Sequence, residues 1–581
     1  MLDIKAPMSA QLVQLAVQPG QALRKGEPLL VLEAMKMEHV LVAPADGVVV
    51  ELLFAAGEAV REGEVLLRLR PGLAEPSVAA AALQEEAPAE RAEVAAWRAR
   101  QALTLDAARP EAIAKRHALG LRSARENVED LCDAGSFVEY GSLAFAAQTR
   151  RRPADELRAQ TPADGMVCGI GRVGAVETAV LAYDATVLAG TQGLRNHQKT
   201  DRMMEIALRR RLPVVLFAEG GGGRPGDTDM PIVAGLHVPT FASFARLAGQ
   251  VPLVGIAAGR CFAGNAALLA CCDLIVATRG SNIGMGGPAM VEGGGLGVYP
   301  PEVIGPAEVQ AGNGVVDLLV VDEAAAVRAV RQFLGMKAPI AEWRAADQQP
   351  LRDAIPANRL RAYEVRPLVA RLVDEGSLLE LRPGWGAAVL TFLARIEGRP
   401  VALLVSNCAV NGGALDAAAA AKAADWMGRC EALGLPLVSL VDTPGFMVGP
   451  AAEASGQVRA SGGLFRAAAR LTQPIVAIVL RRAYGLGAMA LAGGSLHAPL
   501  ASLAWPGAEF GAMGLEGAVR LGYRKELAVL PEGPQRQALF DELLARQVDD
   551  GRAVRMAEML EIDAVIDPAE TRAVLAQLLI A

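Results

Sequence analysis

Residues 6–32 recur at a shift of 37 as residues 43–69, and this repeat dictates a small two-fold unit at the start of the chain. Pro7 falls on Pro44, Gly20 on Gly57, Gly26 on Gly63, and Leu30 and Leu32 on Leu67 and Leu69. Both copies read as short alternating strands broken by glycine-bearing turns, Gln18-Pro19-Gly20-Gln21 and Ala55-Ala56-Gly57-Glu58. Each half is therefore expected to be a small antiparallel unit. Lys36, in Glu33-Ala34-Met35-Lys36-Met37-Glu38, falls in the turn between the copies, where its amine projects away from the body and a modifying enzyme can reach it.

At 581 residues the chain is too long for one core, and about three to four domains are expected. Apolar residues at 52% with aromatics at 4% describe an Ala, Val, Leu and Gly-rich globular protein. No apolar run is long enough to span a bilayer, and Met1-Leu2-Asp3-Ile4-Lys5 lacks the apolar stretch of a signal peptide, so a soluble, cytoplasmic protein with no membrane partner is expected. A net charge of −7 argues against a nucleic-acid partner. The cysteines, at 132, 168, 261, 271, 272, 408 and 430, have no metal-site spacing, and the five histidines are dispersed; buried thiols in a reducing compartment and no metal site are expected.

After Arg70-Pro71-Gly72 the composition shifts to Ala, Pro and Glu over residues 73–89, a tether that would reach about 25 Å by random-coil scaling. Helix is expected over 89–101, and a longer one over 110–131 with Ile113, His117 and Leu121 along one side. A second duplication then runs to the end. Leu131-Cys132-Asp133-Ala134-Gly135-Ser136 recurs as Leu372-Val373-Asp374-Glu375-Gly376-Ser377, and at a shift of 223 Lys199 matches Lys422, Glu219 matches Asp442 and Gly222 matches Gly445. Short, continuously apolar stretches such as residues 213–217 and 437–441 alternate with helical periodicity, the pattern of a parallel sheet buried on both faces. Ligands of such sheets bind beyond the carboxyl ends of the strands.

Directly after the first of those strands stands Glu219-Gly220-Gly221-Gly222-Gly223-Arg224, where glycines let a ligand oxygen approach amides able to hold negative charge. A second strand-to-helix turn, Gly259-Arg260-Cys261-Phe262-Ala263-Gly264-Asn265-Ala266, has its counterpart in Arg481-Arg482-Ala483-Tyr484-Gly485-Leu486-Gly487-Ala488-Met489, and both suit an anion.

Ala34-Met35-Lys36-Met37, with Ala43-Pro44 opening the second copy, resembles the biotinyl carrier domain, which has biotin on the lysine. Over residues 110–575 a second likeness appears. Thr161-Pro162-Ala163-Asp164-Gly165, the Gly-Gly-x-Arg turn, Asp442-Thr443-Pro444-Gly445-Phe446, Ala483-Tyr484-Gly485 and Met513-Gly514-Leu515-Glu516-Gly517-Ala518 are similar to the carboxyltransferase subunits of biotin-dependent acyl-CoA carboxylases. The resemblance implies a small all-β biotinyl domain, a flattened β-barrel, over residues 1–72 and a tether with a helix over 73–109. It further implies two α/β crotonase-like (ββα spiral) domains, at 110–335 for acyl-CoA and 360–581 for biotin, joined by 336–359.

The resemblance also implies covalent biotin on Lys36, a thioester oxyanion hole on Gly221 and Gly222, and a biotin ureido hole on Leu486 and Gly487. In that chemistry carbon dioxide passes from carboxybiotin to the α-carbon of an acyl-CoA, with no titrating side chain as base. Implied partners are a separate biotin carboxylase subunit, a biotin-protein ligase and further copies of the chain, as a dimer or hexamer. This sequence departs from the family at Gly220, where relatives have Ser, at Leu486, and in the unfamiliar stretch Gly293-Gly294-Gly295-Leu296-Gly297-Val298-Tyr299. Decarboxylation or transcarboxylation by the same turns, and a scaffold whose hole has lapsed, are the alternatives. Met489 is placed near the acyl chain, and the arginine runs 150–152 and 209–211 near coenzyme A phosphates or on solvated faces.

Overall fold

The computed structural model describes residues 1–72, 90–224, 226–230, 234–336 and 338–580; the tether expected over 73–89 lies outside them. The chain divides into two compact units, Met1–Ala95 and Ala96–Ala581.

Two four-stranded sheets make the first unit. One runs Leu2–Lys5, Val65–Pro71, Gly47–Leu52, Ala22–Leu23, and the other Met37–Val42, Pro28–Ala34, Ala10–Leu15, Ala59–Val60. Each sheet mixes strands of both sequence copies, which corrects the expectation of two self-contained antiparallel halves. One copy alone has too few strands to enclose its apolar face. Interleaving encloses Leu12, Leu30, Leu32, Val49, Leu67 and Leu69 in a single core.

The two-fold symmetry extends to the backbone. Gly26 N–H donates to Ala43 O at 2.7 Å and Gly63 N–H to Ala6 O at 2.8 Å, while Gly20 donates to Val49 O and Gly57 to Leu12 O. All four glycines have φ between +84° and +95°, a region in which a Cβ is penalised, and this is why glycine recurs at these places.

Each half of the second unit has one sheet of the same plan. In the first half Val138–Glu139, Met166–Val173 and Val176–Tyr183 pair antiparallel, and Val214–Phe217, Leu253–Ala257, Leu274–Thr278 and Leu318–Val320 follow in parallel. In the second half Leu379–Leu381, Val389–Ile396 and Arg399–Ser406 are antiparallel, and Leu437–Thr443, Ile475–Tyr484, Ala501–Ala504 and Ala564–Val565 parallel. The repeated Asp-x-Gly-Ser stretch is the same corner in both halves: Asp133 N–H donates to Arg172 O at 2.7 Å and Asp374 N–H to Arg395 O at 2.8 Å.

The halves share one core, in which Val254, Leu274 and Phe333 pack with Leu393, Trp426 and Leu437. At their seam Asp317, fully buried, receives Arg429 at 2.8 Å, and its carbonyl accepts from Arg382 N–H at 2.8 Å. The joint is ordered where described. Leu351 is buried in the second half's core, and Ile340 N–H donates to Gly398 O at 3.0 Å.

The single helix expected over 110–131 is two, Pro110–Ala118 and Ala124–Leu131. Gly120, at φ +73°, turns the chain out of the first, and Ser123 begins the second through a capping box with Glu126. Six of the seven cysteines are buried and all are free thiols, as composition suggested. None of the described helices is long and apolar enough to cross a membrane.

Lys199 and Lys422 occupy matching interior places, each donating to two carbonyls, one of them at the head of a strand. Lys422 Nζ bonds Arg382 O and Val389 O, both at 2.8 Å. Burial without an adjacent carboxylate penalises its charge and lowers its pKa from 10.5 to about 7. Below pH 7 the folded state bears the full cost of a buried ammonium. As pH rises from 7 to 10.5 the folded protein sheds that proton before the unfolded chain does, so stability grows across this window. Denaturant unfolding of the wild type minus that of Lys422→Met is accordingly expected to increase between pH 7 and 10; a difference independent of pH contradicts this assignment.

Candidate functional site

Beyond the strand Val214–Phe217 the chain enters the glycine turn. Gly220 is stitched to the neighbouring segment, its N–H donating to Arg260 O at 2.7 Å and its carbonyl accepting from Phe262 N–H at 2.9 Å. Gly222, at φ +84°, gives its carbonyl to Gln192 N–H at 2.6 Å. Among the described residues the Gly221 and Gly222 amides donate to no backbone carbonyl. A Cβ on Gly222 would stand 2.7 Å from Ala263 Cβ and 3.2 Å from Gly264 N, so the turn lies directly against the start of the helix Gly264–Ala270. Buried Asn265 locks this junction, its Nδ2 donating to Glu219 O at 2.8 Å and Gly190 O at 3.1 Å.

The second half repeats the arrangement. Leu415 N–H donates to Gly445 O at 3.0 Å and Met447 N–H to Leu415 O at 2.9 Å, as Gln192 does to Gly222 and Arg224 to Gln192. A Cβ on Gly487 would meet the backbone of Gly445 at 2.7 Å and Phe446 N at 2.9 Å. Leu486 and Gly487 sit in the first turn of the helix Gly485–Leu491, where amides have no carbonyl four residues back.

At the shift of 223, Gly222 corresponds to Gly445 and Gly264 to Gly487. Each site is thus a pair of turns in main-chain contact. The sequence-derived residues, Gly221 and Gly222 on one side and Leu486 and Gly487 on the other, come from opposite members of the two pairs. Their partners, Ala263-Gly264 and Gly445, were noted in the sequence, in the 259–266 turn and as the match of Gly222, but were not joined to these residues. Pro444, opposite Gly221, has no N–H, so the second site has its helix amides to offer and the first has the glycine turn as well.

Carboxylates end both strands and are held by arginine. Glu219 takes Arg116 through two contacts of 2.9 and 2.5 Å, and Asp442, fully buried, takes Arg481 at 2.9 Å and Arg482 at 2.7 Å. Arg224 of the Gly-Gly-x-Arg turn is buried against Asp164, which brings two of the motifs into contact. The second site has an additional clamp. Arg359 binds Glu509 at 2.8 Å, Glu516 at 2.6 Å and Tyr484 Oη at 3.4 Å, and Tyr484 Oη donates to Glu509 at 2.8 Å, fixing the residue that precedes the Gly485–Leu491 helix. These carboxylates hold the Arg359 charge firmly, and burial beside Glu509 pushes the Tyr484 hydroxyl pKa up.

Leu486 is exposed, and Met489 is 37% exposed on the same helix. Arg152, Arg209 and Arg210 are paired with Glu156, Glu205 and Glu177, as solvated faces are.

In the first unit the pairs Glu33–Glu38 and Ala34–Met37 leave Met35 and Lys36 as a two-residue hairpin loop with φ of +53° and +64°. The tip suits an amide-linked group. Lys36 is exposed, and Met35 and Met37, 99% and 66% exposed, leave its amine uncovered.

Comparison with known proteins agrees with this division. The model of the family "Biotin-requiring enzyme" matches residues 2–69, and that of "Carboxyl transferase domain" matches residues 115–581. The chain belongs to the carboxyl transferase family. It is similar to the uncharacterized carboxylase YngE of Bacillus subtilis, at 34% identity over 72% of this chain and 83% of that one. The methylmalonyl-CoA carboxyltransferase 12S subunit of Propionibacterium freudenreichii is 31% identical, over 79% and 88%. The beta4 subunit of a biotin-dependent long chain acyl-coenzyme A carboxylase of Mycobacterium tuberculosis is also 31% identical, over 80% and 89%.

Among solved structures, a single-chain, multi-domain long-chain acyl-CoA carboxylase matches with TM-score 0.82 and 50% identity over 99% of this chain; this chain spans 56% of that protein's length. The transcarboxylase 12S hexamer structure matches with TM-score 0.75 and 28% identity over 84% and 95% of the two chains. This protein is accordingly a biotin carrier domain fused to a carboxyltransferase, a biotin-dependent enzyme with crotonase-like halves.

Gly487→Ala forces a methyl group onto the Gly445 main chain and is expected to lower carboxyl transfer about 10²-fold or more. Gly463→Ala, where the added methyl meets nothing within 4 Å, should leave it unchanged. Both are measured as carboxyl exchange with a thioester. Arg359→Met leaves Glu509 without its cation and is expected to cost about 2 kcal/mol in denaturant unfolding.

Proposed function

We propose that Lys36 bears biotin in amide linkage and that the two glycine-built sites move a carboxyl group between that cofactor and the α-carbon of an acyl-CoA. The observation that carries this reading is the recurrence, at one fixed shift, of two turns whose amides can each receive an oxygen anion. Bound biotin supplies a ureido group able to carry and release the carboxyl group. The Gly221 and Gly222 amides, beside the Gly264 helix start, would hold the thioester oxygen and so favour loss of the α-proton, which would pass to the ureido nitrogen as its bond to the carboxyl group breaks. The Leu486 and Gly487 amides would hold the ureido oxygen. Each site would contribute about 3 kcal/mol to the transition state.

Side-chain bases are not needed in this scheme, and the carboxylates at the strand ends do not compete for the role. Glu219 and Asp442 are committed to Arg116, Arg481 and Arg482. The apolar, partly exposed Met489 supports an uncharged acyl chain. The buried free thiols support a cytoplasmic setting. Apolar Leu296 and Val298, 72% and 78% exposed, support association with further copies of the chain.

A biotin-protein ligase would load Lys36, and a separate biotin carboxylase would charge it using ATP. Intact mass after co-expression with a ligase is expected to show one biotinyl group, absent in Lys36→Arg. With a biotin carboxylase, ATP and bicarbonate, the loaded chain is expected to carboxylate members of a panel of acetyl-, propionyl-, branched and long-chain CoA thioesters. ATP-dependent carboxylation by the purified chain alone would refute the separate subunit. The likeness to a carboxyltransferase subunit supports a second reading, exchange between two thioesters, which the same panel reveals as activity without ATP.

A further inference from the structure

Three helices near the second site, Leu515–Gly522, Arg524–Val529 and Pro534–Asp550, share a small apolar core of their own, Val519, Leu527 and Leu543. Between them lies a cavity of about 410 Å³ lined by Arg520, Arg524 and Arg536, with Leu527 and Phe540 as its apolar wall. That volume lies within the range of small-ligand sites, which is roughly 300–1,000 Å³.

Three guanidinium groups face this concavity against one lining carboxylate, Glu532. Glu532 is 3.7 Å from Arg536 and 95% exposed, an ion pair that water screens almost fully. Arg524 makes no ion pair with any described residue, and the Arg520 guanidinium lies over the Phe540 ring, 5.4 Å from its centroid. A cleft lined by one sign of charge focuses its field inward. Arginine forks match phosphate oxygens in pairs, and an aromatic and aliphatic wall offers a face to a base or an alkyl stem. The cavity's wall also includes Gly533, the N-cap of the seventeen-residue Pro534–Asp550 helix, which brings no side-chain acceptor. The paired clusters at 152 and 209–210 lack these features.

We propose that this cavity binds an organic phosphate, a mono- or diphosphate ester attached to a planar or apolar body, such as the nucleotide part of coenzyme A or a free nucleoside diphosphate. The phosphate takes Arg520 and Arg536 with Arg524 at the rim, and the body lies along Leu527 and Phe540.

The test is calorimetric titration of the full biotinylated chain at low ionic strength with ADP, coenzyme A and inorganic phosphate in separate arms. ADP, coenzyme A or both are expected to bind below about 1 mM. Arg520→Ser with Arg536→Ser is expected to weaken that binding about tenfold or more, Arg524→Ser alone less, and Arg546→Ser, farther along the same helix and outside the cavity, not at all. Thermal midpoints of all variants are recorded beside the titrations. Binding of ADP without coenzyme A assigns the cavity to a free nucleotide. Binding of coenzyme A that the double variant weakens assigns it to the thioester's own handle, an arm that rests on the proposed function, and the double variant then raises KM for acyl-CoA but not for the acyl-pantetheine analogue. Wild-type affinity retained in the double variant, no binding of either compound, or binding of inorganic phosphate alone overturns the proposal. Because binding is read directly, absence of transferase activity leaves this result standing.

Discussion

Main chain touches main chain at both sites, and much of the second unit is arranged around that contact. The place where a side chain would begin on Gly487 is 2.7 Å from the Gly445 backbone, and on Gly222 it is 3.2 Å from Gly264 N and 2.7 Å from Ala263 Cβ. Such an approach brings two sets of amides to one point without a polar side chain, and only glycine permits it. It also has to be held, since a turn of successive glycines loses more conformational freedom on ordering than any other sequence. Asn265 does this in the first half by bonding the carbonyls of Gly190 and Glu219, and Thr443 in the second by bonding Gly413 and Gly445.

Buried ion pairs at the strand ends serve geometry more than stability. Asp442 with Arg481 and Arg482 takes charge out of water at a desolvation cost close to the attraction gained, so the net stabilisation is small while removal of one partner is severe. The two halves differ in how far they extend this. Arg359, from the joint between them, ties Tyr484, Glu509 and Glu516 into one network beside the second site. The first half relies on Arg116, supplied by a helix that precedes the sheet, to hold Glu219. A duplicated fold has thus acquired separate supports for its two glycine-built turns.

Much of this was legible in the amino-acid order, because glycine and buried strands leave strong traces. The repeat of Gly20 at Gly57 and of Gly26 at Gly63 marked matching places in the two copies, and Lys199 with Lys422 fixed the register of the halves. The interleaving of strands between the two copies of the first unit left no trace, since alternation records which face is buried and not which strand lies alongside. The break at Gly120 was hidden by continuous helical periodicity on either side, although Ser123 and Glu126 carried a capping signature. The contact between the paired turns was missed for a related reason. Gly264 and Gly445 stand far in sequence from Gly222 and Gly487, and only folding shows that they touch. Arg359 lies in a stretch that reads as a mere connector.

The hairpin that presents Lys36 closes through two consecutive non-glycine residues in left-handed conformation. Such a loop is tightly constrained, because the strands on either side fix both of its dihedral pairs. Whatever is joined to that amine therefore explores space through the rotatable bonds of one lysine stem on a stiff mount. Its sweep is short and its bearing is set by the barrel, so aiming falls to the orientation of the whole unit.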